Sequence, residues 1–176
     1  GDIVISVPDS SNTCALGYAS KSNLQHEIGL IRNHYVGRTF IFPSQRLRDI
    51  SVRLKFNTVK GVVKDKEVVI IDDSIVRGTT LRESILKILA RTDPKKIVVV
   101  SSAPQIRYPD CYGIDMSELG KFIAFQATID LLKNSTRASL IAKVYDDCCA
   151  ELRKPVEKMR NCVRDIYEPF TAKEIS

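Results

Sequence analysis

Apolar runs bounded by charge alternate along this chain with stretches in which apolar residues recur every three or four positions. The first pattern reads as buried strand and the second as helix packed on one face. Strands are therefore predicted at residues 2–7, 25–31, 67–71 and 96–101, with a short one at 112–114. Helices are predicted at 13–20, 44–56, 81–90, 118–133, 137–153 and 155–167, and a polar arm at 32–43. The helix over 81–90 rests on Leu81, Ile85, Ile88 and Leu89 at helical spacing. Strands alternating with helices imply an α/β fold, a doubly wound and mainly parallel sheet covered on both faces, with a helical carboxyl-terminal tail.

Composition agrees with that picture and adds a charge asymmetry. At 176 residues and 44% hydrophobic, the chain can bury one substantial core. Its net charge is +6, and between Arg32 and Lys60 there are seven lysines and arginines against one acid, Asp49. A basic stretch of this kind suits a polyphosphate ligand, and would also suit nucleic acid. No apolar run approaches the roughly 20 residues that span a bilayer, and the amino terminus carries no signal-peptide pattern, so a cytoplasmic location is expected.

The chemistry concentrates where the strand at 67–71 ends. Asp72 and Asp73 follow it directly, then Ser74, Ile75, Val76, Arg77, Gly78, Thr79 and Thr80 lead into the helix at 81. At the carboxyl end of a strand in an open sheet, such a loop faces the binding crevice, and its amides with the helix amino terminus favour a phosphate. Adjacent acids repel unless a divalent cation, sugar hydroxyls or a basic neighbour intervenes. An isolated acid pair after a strand is more often a solvated turn, and Asp146-Asp147, in a charged helical stretch without a glycine-threonine loop, reads as surface. A Walker-type loop is excluded, because no lysine follows the glycine in the required place.

The segment from Asp72 to Thr80 resembles the phosphoribosyl-pyrophosphate (PRPP) loop of the type I phosphoribosyltransferases, and more narrowly that of the glutamine PRPP amidotransferase family. Three further stretches are similar to that family: Val7-Pro8-Asp9-Ser10-Ser11, Tyr35-Val36-Gly37-Arg38-Thr39-Phe40-Ile41 and Tyr112-Gly113-Ile114-Asp115-Met116. The resemblance runs from about residue 2 to about residue 126 and is weak beyond. It implies a type I phosphoribosyltransferase core over 1–126, and a helical extension over 127–176 packed on the same domain. It also implies formation of 5-phosphoribosylamine and pyrophosphate from PRPP and ammonia, the first step of de novo purine synthesis. A base-specific phosphoribosyltransferase, or a regulatory domain that senses PRPP or purine nucleotides without turnover, is the alternative. The second and third stretches argue against the first of these. Nucleic acid is not expected as a partner, since no helix-turn-helix is legible.

Roles carried over by the resemblance fall on particular residues. Asp72 and Asp73 would hold the ribose hydroxyls, directly or through Mg²⁺, and stabilise positive charge at the anomeric carbon. Ser10 would join them at the metal. Ser74, Arg77, Gly78, Thr79 and Thr80 would cradle the 5-phosphate, with Gly78 permitting close backbone approach. The arm from Arg32 resembles a loop that closes over PRPP, in which Arg32, Tyr35, Arg38 and Thr39 would contact substrate and Tyr35 and Arg38 would serve catalysis. Family members commonly carry lysine and arginine where this chain has Arg32 and His34, so the second position departs from a permanent cation.

The five cysteines, at 14, 111, 148, 149 and 162, show no CxxC and are expected to be reduced. An iron–sulfur cluster, found in some members of the resembled family, is not expected: Asp110 follows Pro109, and Cys148 and Cys149 are directly adjacent. Full enzymes of that family begin with a glutaminase domain, whereas here Gly1-Asp2 leads straight into a predicted strand, so the chain reads as the carboxyl-terminal part of a longer protein lacking that domain. The resemblance further implies a homo-oligomer inhibited by purine nucleotides.

Overall fold

The computed structural model describes residues 1–35, 56–79, 81–113 and 116–176. They form two compact units, Gly1–Pro104 and Gln105–Ser176. In the first, four parallel strands make a sheet in the order β2-β1-β5-β6: β1 is Ile3–Ser6, β2 Gln25–His26, β5 Glu67–Asp72 and β6 Lys96–Ser101. A separate antiparallel pair joins β3, Leu30–Arg32, to β4, Phe56–Thr58.

The strands are buried because their side chains alternate into two apolar layers. Ile3, Ile5, Val68 and Ile70 face a cluster completed by Val63, Phe56 and the segment from Leu81 to Leu89. Val4, Val69 and Ile71 face the other way, onto Ala15 and Ala19 of α1, Asn12–Ser22. The connections β1–α1–β2 and β5–helix–β6 thus cover opposite faces, which is the doubly wound arrangement predicted. The second connection opens with a π-type turn, Leu81–Ile85, before its regular helix, Leu86–Ala90. The sequence order reverses between β1 and β5, since β1 leads outward to β2 on one side and β5 leads to β6 on the other.

Several predicted elements are corrected. The strand over 25–31 is broken, and β3 leaves the main sheet to pair with β4. The backbone at Gly29 passes so close to β1 that a Cβ there would lie 2.8 Å from Ile5 Cγ2. Residues 44–55 of the helix predicted at 44–56 lie outside the described residues, and Phe56, its last position, is strand, paired with Arg32.

In the second unit the principal helices are Ile123–Lys133 and Ser139–Glu151. The first runs through residue 126 and is preceded by a 3₁₀ turn, Leu119–Lys121, from which it is separated by the extended, fully buried Phe122. The helix predicted at 155–167 is interrupted. A 3₁₀ turn, Val156–Lys158, and a short helix, Arg164–Tyr167, flank a segment whose Arg160 amide donates to Glu151 Oε2 at 3.0 Å. Tyr112 and Gly113 lie in a bend rather than a strand, because the Asp110 carboxylate captures the Tyr112 amide at 2.8 Å. Ile114 and Asp115 lie outside the described residues.

Candidate active site

Ligands of open α/β sheets bind beyond the carboxyl ends of the strands, where the strand order reverses. Here that place is between β1 and β5, and it is where the chain puts its acid pair. Strand β1 is in register with β5 from Ile3 opposite Val68 to Ser6 opposite Ile71, and the Val7 amide extends the ladder to Ile71 O at 2.9 Å. The loop after β1, with Pro8, Asp9, Ser10 and Ser11, therefore emerges beside Asp72 and Asp73. The Pro8–Asp9 peptide is cis.

Backbone bonds from the end of β6 anchor the acid pair: Ser102 N donates to Asp72 O, and Ala103 N and Ser102 Oγ donate to Asp73 O, at 2.9, 2.9 and 3.0 Å. Each carboxylate then accepts the next amide, Asp72 Oδ1 from Asp73 N at 3.0 Å and Asp73 Oδ1 from Ser74 N at 2.6 Å. Both side chains are half-buried. Burial pushes the Asp72 carboxyl above the usual range, and the neighbouring Asp73 charge adds to the rise; the Asp73 amide and the Ser11 hydroxyl oppose it. Asp72 thus carries a charge that the folded chain only partly compensates, the condition in which a cation or a hydroxyl-rich ligand is welcome.

Beyond Asp73 the loop is pinned by Ile75, which packs on the larger sheet cluster. The amides of Ile75, Val76 and Gly78 donate to no group among the described residues. Unpaired amides concentrated in one loop are the backbone requirement for an anion. Gly78 has φ 65°, and its carbonyl accepts from Arg82 N at 2.8 Å, which starts the following helix. Arg77 is half-buried, Thr79 is exposed, and Thr80 lies outside the described residues.

From the other side, Arg32 at the end of β3 reaches the loop after β1: Arg32 Nη1 stands 2.8 Å from Asp9 Oδ2. His34 Nδ1 is 3.9 Å from the same oxygen. Ser10 is exposed, whereas Ser11 is wholly buried. Tyr35 is 100% exposed, so its ring lies against none of the other site residues among those described. Arg38 and Thr39 lie outside the described residues. Motif reasoning singled out the stretch from Val7 to Ser11 but gave an individual role only to Ser10 within it. The spacing of Ser11 with Ala15 and Ala19 would have put Ser11 on the buried face of α1.

Asp72, Asp73 and the Ser10 hydroxyl are hard oxygen donors, as Mg²⁺ requires. Among the described residues no group of three or more His, Cys, Asp or Glu could hold a metal by itself.

This geometry can be set beside known proteins. No protein-family model matches the chain. It is 49% identical over 129 residues to the amidophosphoribosyltransferase of Pasteurella multocida, a match covering 73% of this chain and 25% of that protein. This chain is a partial-length relative of the amidophosphoribosyltransferase family. The Pyrococcus horikoshii amidophosphoribosyltransferase is 45% identical over 142 residues, 81% of this chain and 31% of that protein. Among solved structures, the glutamine PRPP amidotransferase from B. subtilis complexed with ADP and GMP superposes with a TM-score of 0.61 at 46% identity, covering 76% of this chain and 29% of that one. The chain therefore spans roughly a quarter to a third of the length of the amidophosphoribosyltransferases it matches. Among the described residues, no helix is long and apolar enough to cross a membrane.

Proposed function

We propose that this chain carries the phosphoribosyl-transfer site of an amidophosphoribosyltransferase. Ammonia attacks the anomeric carbon of PRPP as the bond to the pyrophosphate oxygen breaks; pyrophosphate departs, and loss of one proton leaves 5-phosphoribosylamine. Asp72 and Asp73 bind the ribose hydroxyls and face the positive charge that builds at the anomeric carbon. The amides of Ile75, Val76 and Gly78, with Ser74, Arg77, Thr79 and Thr80, hold the 5-phosphate. The loop of Asp9 and Ser10, with Arg32, receives the pyrophosphate. Mg²⁺ held by Asp72, Asp73 and Ser10 would neutralise pyrophosphate charge as the bond breaks.

The observation that carries this reading is the junction of two loops, Pro8 to Ser11 and Asp73 to Thr79, at the point between β1 and β5 where the strand order reverses. Closure of the arm that brings Tyr35, Arg38 and Thr39 over PRPP belongs to the same proposal, as does ammonia supplied from glutamine elsewhere in a full-length enzyme. A cytoplasmic homo-oligomer is carried over from the family. Purine nucleotides are proposed as inhibitors, supported by the ADP and GMP complex of the B. subtilis protein.

Calorimetric titration of PRPP with and without Mg²⁺ tests the reading, on the chain and on an Asp72→Asn/Asp73→Asn variant whose thermal melt shows it to be at least as stable. Metal-dependent binding that disappears in the variant is expected. A folded chain that binds no PRPP under either condition would reject it.

A further inference from the structure

Strand β6 ends at Ser101, and the next two residues, Ser102 and Ala103, bend so that their polar groups meet the backbone of the acid pair. The Ser101 hydroxyl donates to Ala103 O at 2.9 Å and closes a turn in which the Ala103 amide donates to Asp73 O, also at 2.9 Å. Ser102 adds a side-chain bond to these, its hydroxyl donating to the same Asp73 oxygen at 3.0 Å. One carbonyl at the head of the candidate phosphate loop is thus held by two donors from β6.

Folding does not call for the second donor. The Asp73 carbonyl is already satisfied by the Ala103 amide, and Ser102 is exposed, where its hydroxyl could bond water instead with little change in stability. What the bond adds is direction. A peptide is planar, so the Asp73 carbonyl and the Ser74 N–H form one rigid unit, and fixing the oxygen fixes where the N–H points. That N–H holds Asp73 Oδ1 at 2.6 Å, and the unpaired amides of Ile75, Val76 and Gly78 follow directly from it.

We infer that Ser102 is a positioning residue for phosphoribosyl transfer: its hydroxyl clamps the Asp73–Ser74 peptide, and through that peptide sets how the Asp73 carboxylate meets the ribose hydroxyls and how the loop amides meet the 5-phosphate. The residue touches no ligand itself. Its effect is preorganisation, since a carboxylate and a loop already held in place need not be ordered when the ligand binds. The inference rests on the PRPP reading of the site.

The test is calorimetric titration of PRPP in saturating Mg²⁺ for wild type, Ser102→Ala and Ser102→Thr, with a thermal melt of each. Ser102→Ala removes an exposed hydroxyl from a carbonyl that keeps its Ala103 bond, so its melting temperature should stay close to wild type, while PRPP affinity falls about fivefold, the scale of one neutral hydrogen bond. Ser102→Thr, which retains the hydroxyl, should bind close to wild type. Wild-type affinity in Ser102→Ala overturns the inference and leaves the PRPP reading intact. So does a loss that Ser102→Thr shares, or one that merely follows a fall in melting temperature. A wild-type chain that binds no PRPP overturns both.

Discussion

Arg32 Nη1 donates to Asp9 Oδ2 at 2.8 Å, tying the end of β3 to the loop after β1 across 23 residues. The two side chains are 35% and 47% exposed, so the pair contributes less than about 1 kcal/mol to stability. If the loop receives pyrophosphate as proposed, the incoming anion must share the guanidinium with a carboxylate already bound to it. Asp9→Asn is expected to leave the melting temperature unchanged and to tighten pyrophosphate binding by about threefold, the scale of a screened charge pair. Arg32→Ala should weaken it. Calorimetry at low and high salt checks this, since the gain in Asp9→Asn must shrink as salt rises.

For Asp72 the prediction sets stability against function. Its carboxyl is raised by burial, so the folded chain disfavours the charged form. The stability associated with a raised carboxyl is fully present below the unfolded value, about 4, and is lost as pH rises through the folded one. Asp72→Asn, which keeps an oxygen to accept the Asp73 amide, should therefore melt higher than wild type at pH 7 when neither Mg²⁺ nor PRPP is added. The advantage should vanish by about pH 4, near the unfolded carboxyl value. The same variant should lose Mg²⁺-dependent PRPP binding. Melting curves from pH 4 to pH 8 decide the first part, and an unchanged melting temperature at pH 7 would contradict it.

Gly78 has φ 65° and lies between the unpaired loop amides and the helix its carbonyl starts. An alanine there meets the left-handed penalty, about 1–2 kcal/mol. Gly78→Ala should lower stability by that amount in urea unfolding. If the loop holds a phosphate through its backbone, PRPP affinity should fall by more than the stability loss implies, because the relaxed loop no longer aims its amides. Equal binding by the folded variant would remove Gly78 from the site.

The parts of the site visible in the sequence are those carried by one continuous segment. The apolar run Glu67–Asp72 ends in charge, and everything needed to read Asp72, Asp73 and Gly78 lies within a few positions of it. Arg32 was legible as a basic contact, but its pairing with Asp9 required knowing that β3 turns away from the main sheet, which depends on Gly29 passing against Ile5 and on a pairing with Phe56 from a distant segment. Ser11 and Ser10 are identical in type, and only the helical phase shared with Ala15 and Ala19 separates the buried one from the exposed one. The break near Arg160 follows from a Glu151 side chain nine residues away, a contact no local propensity encodes.

Tyr167 offers a test in the second unit, at a residue that no sequence motif singled out. Its ring is 2% exposed, its hydroxyl donates to Arg107 O at 2.8 Å, and the Arg107 guanidinium lies 5.2 Å from the ring centroid. Burial, with the nearby Tyr108, pushes the phenol up to about 12, and the Arg107 charge only partly opposes this. The neutral phenol is thus favoured in the folded chain. Its contribution is fully present below the unfolded value, near 10, and is lost as pH rises towards 12. Between those limits wild-type stability should acquire a slope approaching about 1.4 kcal/mol per pH unit from this residue alone. Tyr167→Phe forfeits the hydrogen bond, about 1 kcal/mol at neutral pH, but has no phenol to ionise. The stability gap between the two chains should therefore narrow above pH 10 and reverse before pH 12. Urea unfolding of both chains at about pH 8, 10 and 11.5, which roughly span the window set by the two phenol values, measures the gap directly. A constant difference across that range would mean that the Tyr167 phenol ionises alike in the folded and unfolded chains.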